Sequence, residues 1–198
     1  MNEERSRLNM ERSTIKWSLE DYHQIIQTGL LDDRSVELLA GEIVELSPER
    51  EPHASFSRNA GQYLTRLLGD RALVSPAKPI TLPNQSEPEP DIAVVEPLGR
   101  EYLTHHPYPE NIFWLIEYAN TSLEKDSTVK YHIYAEAGIP EYWLANLQTG
   151  ELIVYRQPSR RNYGSKMTLK EGEISPLAFP DLTIPVEAII GYDRIVSG

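Results

Sequence analysis

The 198-residue chain contains no cysteine. That absence excludes a disulfide framework, a thiolate metal site and a cysteine nucleophile, and it fits a reducing compartment. Long hydrophobic runs are missing too. No apolar stretch approaches membrane-spanning length, and the opening MNEERSRLNMERSTIKW has no apolar signal-peptide core. A cytoplasmic protein with no membrane partner is therefore expected. Basic residues are in short supply: 19 Lys and Arg stand against 30 Asp and Glu, for a net charge of −11. Such a balance argues against a surface that attracts nucleic acid everywhere. It is compatible with a local basic groove, and carboxylates gathered to hold a metal would themselves add negative charge. The length suits one domain that buries most of its apolar surface without covalent staples.

What is present reads as a mixed α/β domain. Residues 1–15 are charged and aperiodic and are expected to be disordered, with a single domain over 16–198. Ser18 with Asp21 three residues on is an N-cap signature, and Gly29 marks a stop, which gives a short helix. SVELLAGEIVELSP alternates on both sides of Ala40–Gly41 and predicts a hairpin ending at Pro48. A helix is predicted over 53–69, where Ala60, Leu64, Leu67 and Leu68 form a stripe. Strands are predicted near 71–75, 78–82, 91–95 and 112–118, then a helix over 123–137 closed by Gly138 and Pro140. EYWLANLQTGELIVYR supplies two more strands around a turn at Thr149–Gly150, and weak strands or loops run to the end. This order predicts helices flanking one central mixed β-sheet.

Two of these strands carry an acid where apolar residues are expected. Asp91 opens the run Ile92–Val95, in the same orientation class as Ala93 and Val95, and Glu117 shares a face with Phe113 and Leu115. If the strands are neighbours, the two carboxylates converge at one edge of the sheet. A buried carboxylate is costly unless it is paired, protonated or bound to a cation. By spacing alone, each acid could equally be a turn former or a strand end reaching solvent. In the following helix Val129, Ile133 and Ala137 form the expected buried stripe, and Lys130 borders it, ~60° round from Ile133. Lys130 can thus reach toward Glu117, with Asp126 and Tyr134 one turn away, although a surface Asp126–Lys130 pair would explain the same spacing. Two carboxylates and a lysine suit phosphodiester hydrolysis. A hard divalent cation relieves the repulsion between the acids, and a lysine steadies developing charge.

The pattern VELLAGEIVELSP…H…PD…IEYANTS…D…K…Y…AGIPEYWL resembles the Uma-two family of restriction endonuclease-like proteins, within the PD-(D/E)XK nuclease superfamily. The resemblance covers roughly residues 18 to 190 and is most specific over 117–144. It implies a restriction-endonuclease-like core, Mg²⁺ (or Mn²⁺) as cofactor and DNA as substrate. Carried over by position, it makes Asp91 and Glu117 metal ligands and Lys130 the catalytic lysine. The commoner superfamily arrangement has its lysine two residues after the second acid, where this chain has Ala119; the Uma-like branch has it on the next helix. Tyr118 and Asn120 depart from the family, which has a smaller apolar residue and a serine there. Glu37, in the family's ELIDGE-like hairpin, and His53, opening its helix, are further candidates for the site. On the plainer reading Glu37 faces solvent beside Val36 and Leu38, and His53 is a solvated helix end. Asp126 is expected to hold Lys130 in place rather than to bind metal.

Two other stretches invite a functional reading. Trp143 in EYWL could stack on a base, but a strand of this composition is better read as core or dimer surface. QPSRRNYGSK (157–166) is the densest basic stretch and reads as a hairpin loop that either touches a DNA backbone or is simply solvated. The function expected is a metal-dependent DNA endonuclease, as a homodimer if it makes paired cuts. The rival is a catalytically inactive nuclease-fold module that binds nucleic acid or protein. A two-carboxylate glycosidase would account for neither Lys130 nor the family pattern.

Overall fold

The structure is a computed structural model that describes residues 14–46, 53–119 and 126–191, apart from the side chains of Asp126 and Ser127. The expectations for residues 1–13, the hairpin end at Pro48, the helix start over 123–125, Asn120 and the Asp126 side chain fall outside those residues.

Local sequence signals set the first elements. In helix α1 (Leu19–Gln27) the Ser18 side chain accepts from the Asp21 amide while the Asp21 carboxylate accepts from the Ser18 amide, the reciprocal cap anticipated. Strands β1 (Val36–Leu39) and β2 (Glu42–Glu45) form an antiparallel hairpin. Its two-residue turn needs positive φ at both positions, and Ala40 and Gly41 have 48° and 78°. Helix α2 (His53–Leu68) buries Ala60, Leu64 and Leu68.

A six-stranded sheet follows in the order β3 (Leu73–Pro76), β4 (Ile92–Val95), β5 (Ile112–Ala119), β6 (Glu141–Asn146), β7 (Glu151–Ser159), β8 (Asn162–Leu169). Every neighbouring pair is antiparallel except β5–β6, which is parallel. A parallel pair needs a crossover, and helix α3 (Asp126–Glu136) lies within it. Short strands β9 (Glu173–Ile174) and β10 (Ile184–Pro185) and helix α4 (Glu187–Ile190) complete the described chain. This is the mixed α/β architecture expected.

The sheet separates two cores. On one face α2, α4 and Phe179 pack on Ile92, Val94, Trp114, Ile116 and Trp143; on the other, α3 and the 80–82 segment pack on Ala93, Leu115, Tyr142 and Leu144. Trp114 and Trp143 are fully buried 5.6 Å apart, so EYWL is core and not a stacking platform on the surface. Burying such side chains contributes roughly 1.5–3 kcal/mol each.

Three expectations are corrected. Residues 78–82 do not form a strand. Ile80 and Leu82 are buried, but the segment makes an isolated bridge, Leu82 to Ser86, and single bonds from the Ile80 amide to the Pro88 carbonyl and from the Thr81 amide to the Pro107 carbonyl, not a ladder. Pro79, Pro83, Pro88 and Pro90 lack the N–H groups a regular ladder would use. The buried face of α3 is also rotated from the one expected. Val129 is 43% exposed while Lys130, Ile133 and Tyr134 are buried. The reason is that Lys130 finds carboxylates beneath the helix, so a charged residue occupies a position an apolar one would normally fill. Lastly, the basic stretch at 157–166 is mostly strand. Only Arg160 and Arg161 lie between β7 and β8, and Arg161 faces Glu136 at 3.8 Å.

Candidate active site

The start of β4, the end of β5, the middle of α3 and the start of α2 meet at one end of the sheet. Antiparallel pairing of Ala93 with Leu115 and of Ile92 with Ile116 sets Asp91 opposite Glu117. Cross-strand partners share a face, so the two acids converge as the alternation implied. Both strands are internal to the sheet, so the meeting point is a sheet end rather than an edge.

Asp91 is held from two sides. Its Oδ2 accepts the Tyr118 amide at 2.6 Å and lies 3.0 Å from His53 Nε2. His53 is therefore a partner of the first acid and not a solvated helix end. Tyr118 itself points to the opposite core, where its hydroxyl donates to the Ile189 carbonyl. Its ring lies 5.7 Å from that of His53.

Glu117 is 8% exposed and Lys130 7%. Lys130 Nζ stands 3.1 Å from Glu117 Oε1 and 3.1 Å from Glu37 Oε2, and donates to the Glu89 carbonyl at 3.2 Å. Tyr134, one turn on, donates to the same Glu117 oxygen at 2.6 Å. Glu37 is 4% exposed and not solvent-facing. Its Oε2 also accepts the Glu89 amide at 3.0 Å, which ties the β1–β2 hairpin to the loop before Asp91. The candidates Asp91, Glu117, Lys130, Glu37 and His53 thus form one connected cluster. Sequence reasoning gave no role to Tyr134 and did not single out Glu89. The i, i+4 spacing of Lys130 and Tyr134 could have pointed to the tyrosine; the loop residue had no comparable signal.

The electrostatics are unbalanced. Burial pushes the Glu117 carboxyl up to about 7, with Asp91 and Glu37 adding to the push and Lys130 and Tyr134 opposing it. Burial alone would lower the Lys130 ammonium, but Glu117, Glu37 and Asp91 outweigh it and hold Lys130 above its ordinary value, so it stays charged. Glu89 is likewise raised, by burial and then by Glu37. Burial, together with Glu117, keeps the Tyr134 hydroxyl protonated and able to donate. Asp91 Oδ1 and Glu117 Oε2 accept no hydrogen bond from a described residue. Three carboxylates therefore surround one ammonium, and each, Glu37 included through its Oε1, keeps one oxygen that accepts no hydrogen bond from a described residue.

The helix-flanked mixed sheet is a fold shared with a solved chain. The crystal structure described as "a putative nuclease belonging to DUF820 from Anabaena variabilis" matches with a TM-score of 0.70 over 90% of this chain and 98% of that one. At 15% identity the likeness is one of fold. The family follows from sequence: residues 19–187 match the model of the Uma-two (Uma2) family, described as "Putative restriction endonuclease", and the chain belongs to that family. No curated protein matches it.

Proposed function

We propose that the chain is a Mg²⁺- or Mn²⁺-dependent DNA endonuclease in which Asp91 and Glu117 hold the cation and Lys130 assists the attacking water. The observation that carries this reading is the pair of carboxylates set opposite each other on β4 and β5, each with an oxygen that accepts no hydrogen bond from a described residue, beside a buried, charged lysine. The donor set fits the ion. Mg²⁺ takes hard oxygen ligands and usually keeps several waters, binding through one or two carboxylates. When bound, such a cation lowers the pKa of water and stabilises charge on a phosphoryl oxygen.

The chain's own residues supply the rest. His53 and the Tyr118 amide fix Asp91 through one oxygen and leave the other free. Tyr134 does the same for Glu117, a charge-assisted bond of about 1.5–3 kcal/mol. Lys130, clamped by Glu37 and the Glu89 carbonyl, presents its ammonium where it can orient a water and stabilise negative charge on the transferred phosphoryl group.

One observation favours the inactive-module reading. Among the described residues no three acidic, histidine or cysteine side chains converge so as to hold a metal by themselves. The two readings separate in a plasmid assay of the parent, Asp91→Ala and Lys130→Ala. Nicking by the parent with Mg²⁺ or Mn²⁺, abolished by chelation and in both variants, supports the nuclease. Cleavage that survives both substitutions, or its complete absence in the parent, would sink it.

A further inference from the structure

An open groove of about 650 Å³ runs between α2 and the end of β3, lined by Arg58, Gln62, Thr65, Arg66, Pro76 and Ala77 among others. It adjoins the acids: the Asp91 carbonyl accepts from the Ala77 amide at 3.2 Å and from Ser57 Oγ at 3.5 Å. Residue Ala54, next to His53, lines the same groove. Arg58, Gln62 and Arg66 recur every four residues, which puts them on one side of α2. All three are exposed. In a chain of net charge −11, Arg71, Arg156 and Arg161 are matched with Asp181, Glu141 and Glu136, and Lys16 and Lys170 with Glu42 and Glu151. Arg58 and Arg66, like Arg34, Lys78, Arg100, Arg160 and Lys166, have no ion-pair partner among the described residues, and these two stand on one helix face in the groove. Gly61, between them, leaves open space: an added Cβ would meet only Ile92 Cδ1, at 4.0 Å.

From this we infer that the α2–β3 groove is a nucleic-acid backbone track, in which Arg58 and Arg66 bind phosphates of the strand whose scissile phosphate lies at Asp91. The inference rests on the nuclease reading for the position of the scissile phosphate, but the groove's charge does not depend on it. The helix rise places Arg58 and Arg66 ~7.5 Å and ~20 Å along α2 from His53, which is about two and about six nucleotides at 3.4 Å each. Charge complementarity selects this occupant: two guanidiniums without an ion-pair partner among the described residues, on one helix face of a protein of net charge −11, with small residues between them admitting a close approach. Contacts of this kind carry affinity without reading sequence.

The test is binding rather than cleavage, with the full chain and fluorescently labelled duplex and single-stranded oligonucleotides, in Ca²⁺ or chelator so that no turnover intervenes. The double variant Arg58→Ala/Arg66→Ala is compared with the parent and with Arg100→Ala, which removes one positive charge beyond the far end of β4. The expected result is about tenfold or more loss of affinity near 0.1 M salt, and a log–log salt slope shallower by about two, in the double variant only. Light scattering on the same samples reports the oligomeric state. Unchanged affinity and slope in the double variant would overturn the inference even if the protein cleaves DNA, and so would a parent that binds no nucleic acid. A dimer-to-monomer shift with DNA affinity intact would give the groove to a second copy and overturn it too. Groove-dependent binding without any metal-dependent cleavage would uphold the track and sink the nuclease reading instead.

Discussion

Adjacent strands β5 and β6 each bury a glutamate, and the two are treated differently. Glu141, fully buried, has its charge answered on every side. Its Oε1 accepts from Trp143 Nε1 and twice from Arg156, and its Oε2 from the Leu177 amide at 2.7 Å. Glu117 shares one lysine with Glu37 and one tyrosine hydroxyl, and has Asp91 opposite. One acid is neutralised by a guanidinium that forks around it and ties β6 to β7 and to the chain beyond β9. The other belongs to a cluster in which Glu117, Glu37 and Asp91 meet one ammonium among the described residues. A buried carboxylate can be a structural joint or an unfilled demand for a cation, and the partner count distinguishes them.

Breaking the first site should give the largest stability effect. Glu141→Ala leaves the half-buried Arg156 guanidinium without its carboxylate, and the Trp143 Nε1 and Leu177 amide donors without an acceptor, at a cost of about 3 kcal/mol. Thermal unfolding should show it as a fall in Tm of order 10 °C, with metal affinity per folded molecule unchanged. Breaking the second should reverse the pattern. Asp91→Ala should lower plasmid nicking by about 10²-fold or more while shifting Tm little, since it removes one of three crowded carboxylates.

The pH dependence sharpens the contrast further. Glu117 binds its proton more tightly folded than unfolded, so its contribution to stability is fully present below about 4.5 and is lost as pH rises through about 7. Glu117→Gln should flatten that part of the stability–pH profile measured by denaturant titration without metal; an unchanged slope would refute the shift. A smaller effect is expected from Tyr134→Phe. Without its hydroxyl Glu117 rises further, and Mn²⁺ affinity near neutral pH should weaken by about tenfold with little change in fold. Smallest of all, Arg71→Ala removes an exposed pair with Asp181, and the urea midpoint should barely move from the parent's.

The sequence made parts of this legible because their causes are local. The Ser18–Asp21 cap needs four residues, the hairpin turn two, and the convergence of Asp91 with Glu117 only strand alternation plus adjacency. The family pattern then placed Lys130 beside them. The misreadings arose where distant groups decide. A stripe of apolar residues predicted the buried face of α3, but Glu37 and Glu117, far away in sequence, drew Lys130 inward and turned Val129 out. Four prolines kept 78–82 from pairing although its apolar content suggested a strand. Glu37 was ambiguous because the layer covering β1 is not written in β1. Glu141 passed unremarked because its partner Arg156 lies across a hairpin, in the register that only the folded sheet supplies.

The central claim is that Asp91 and Glu117 hold a hard divalent cation, and calorimetric titration with Mn²⁺ tests it most directly. The account predicts saturable binding at one site per chain, abolished by Asp91→Ala and accompanied by proton release near neutral pH as Glu117 ionises, read from buffers of different ionisation heat. Absence of binding, or binding undiminished in the Asp91 variant, would contradict it.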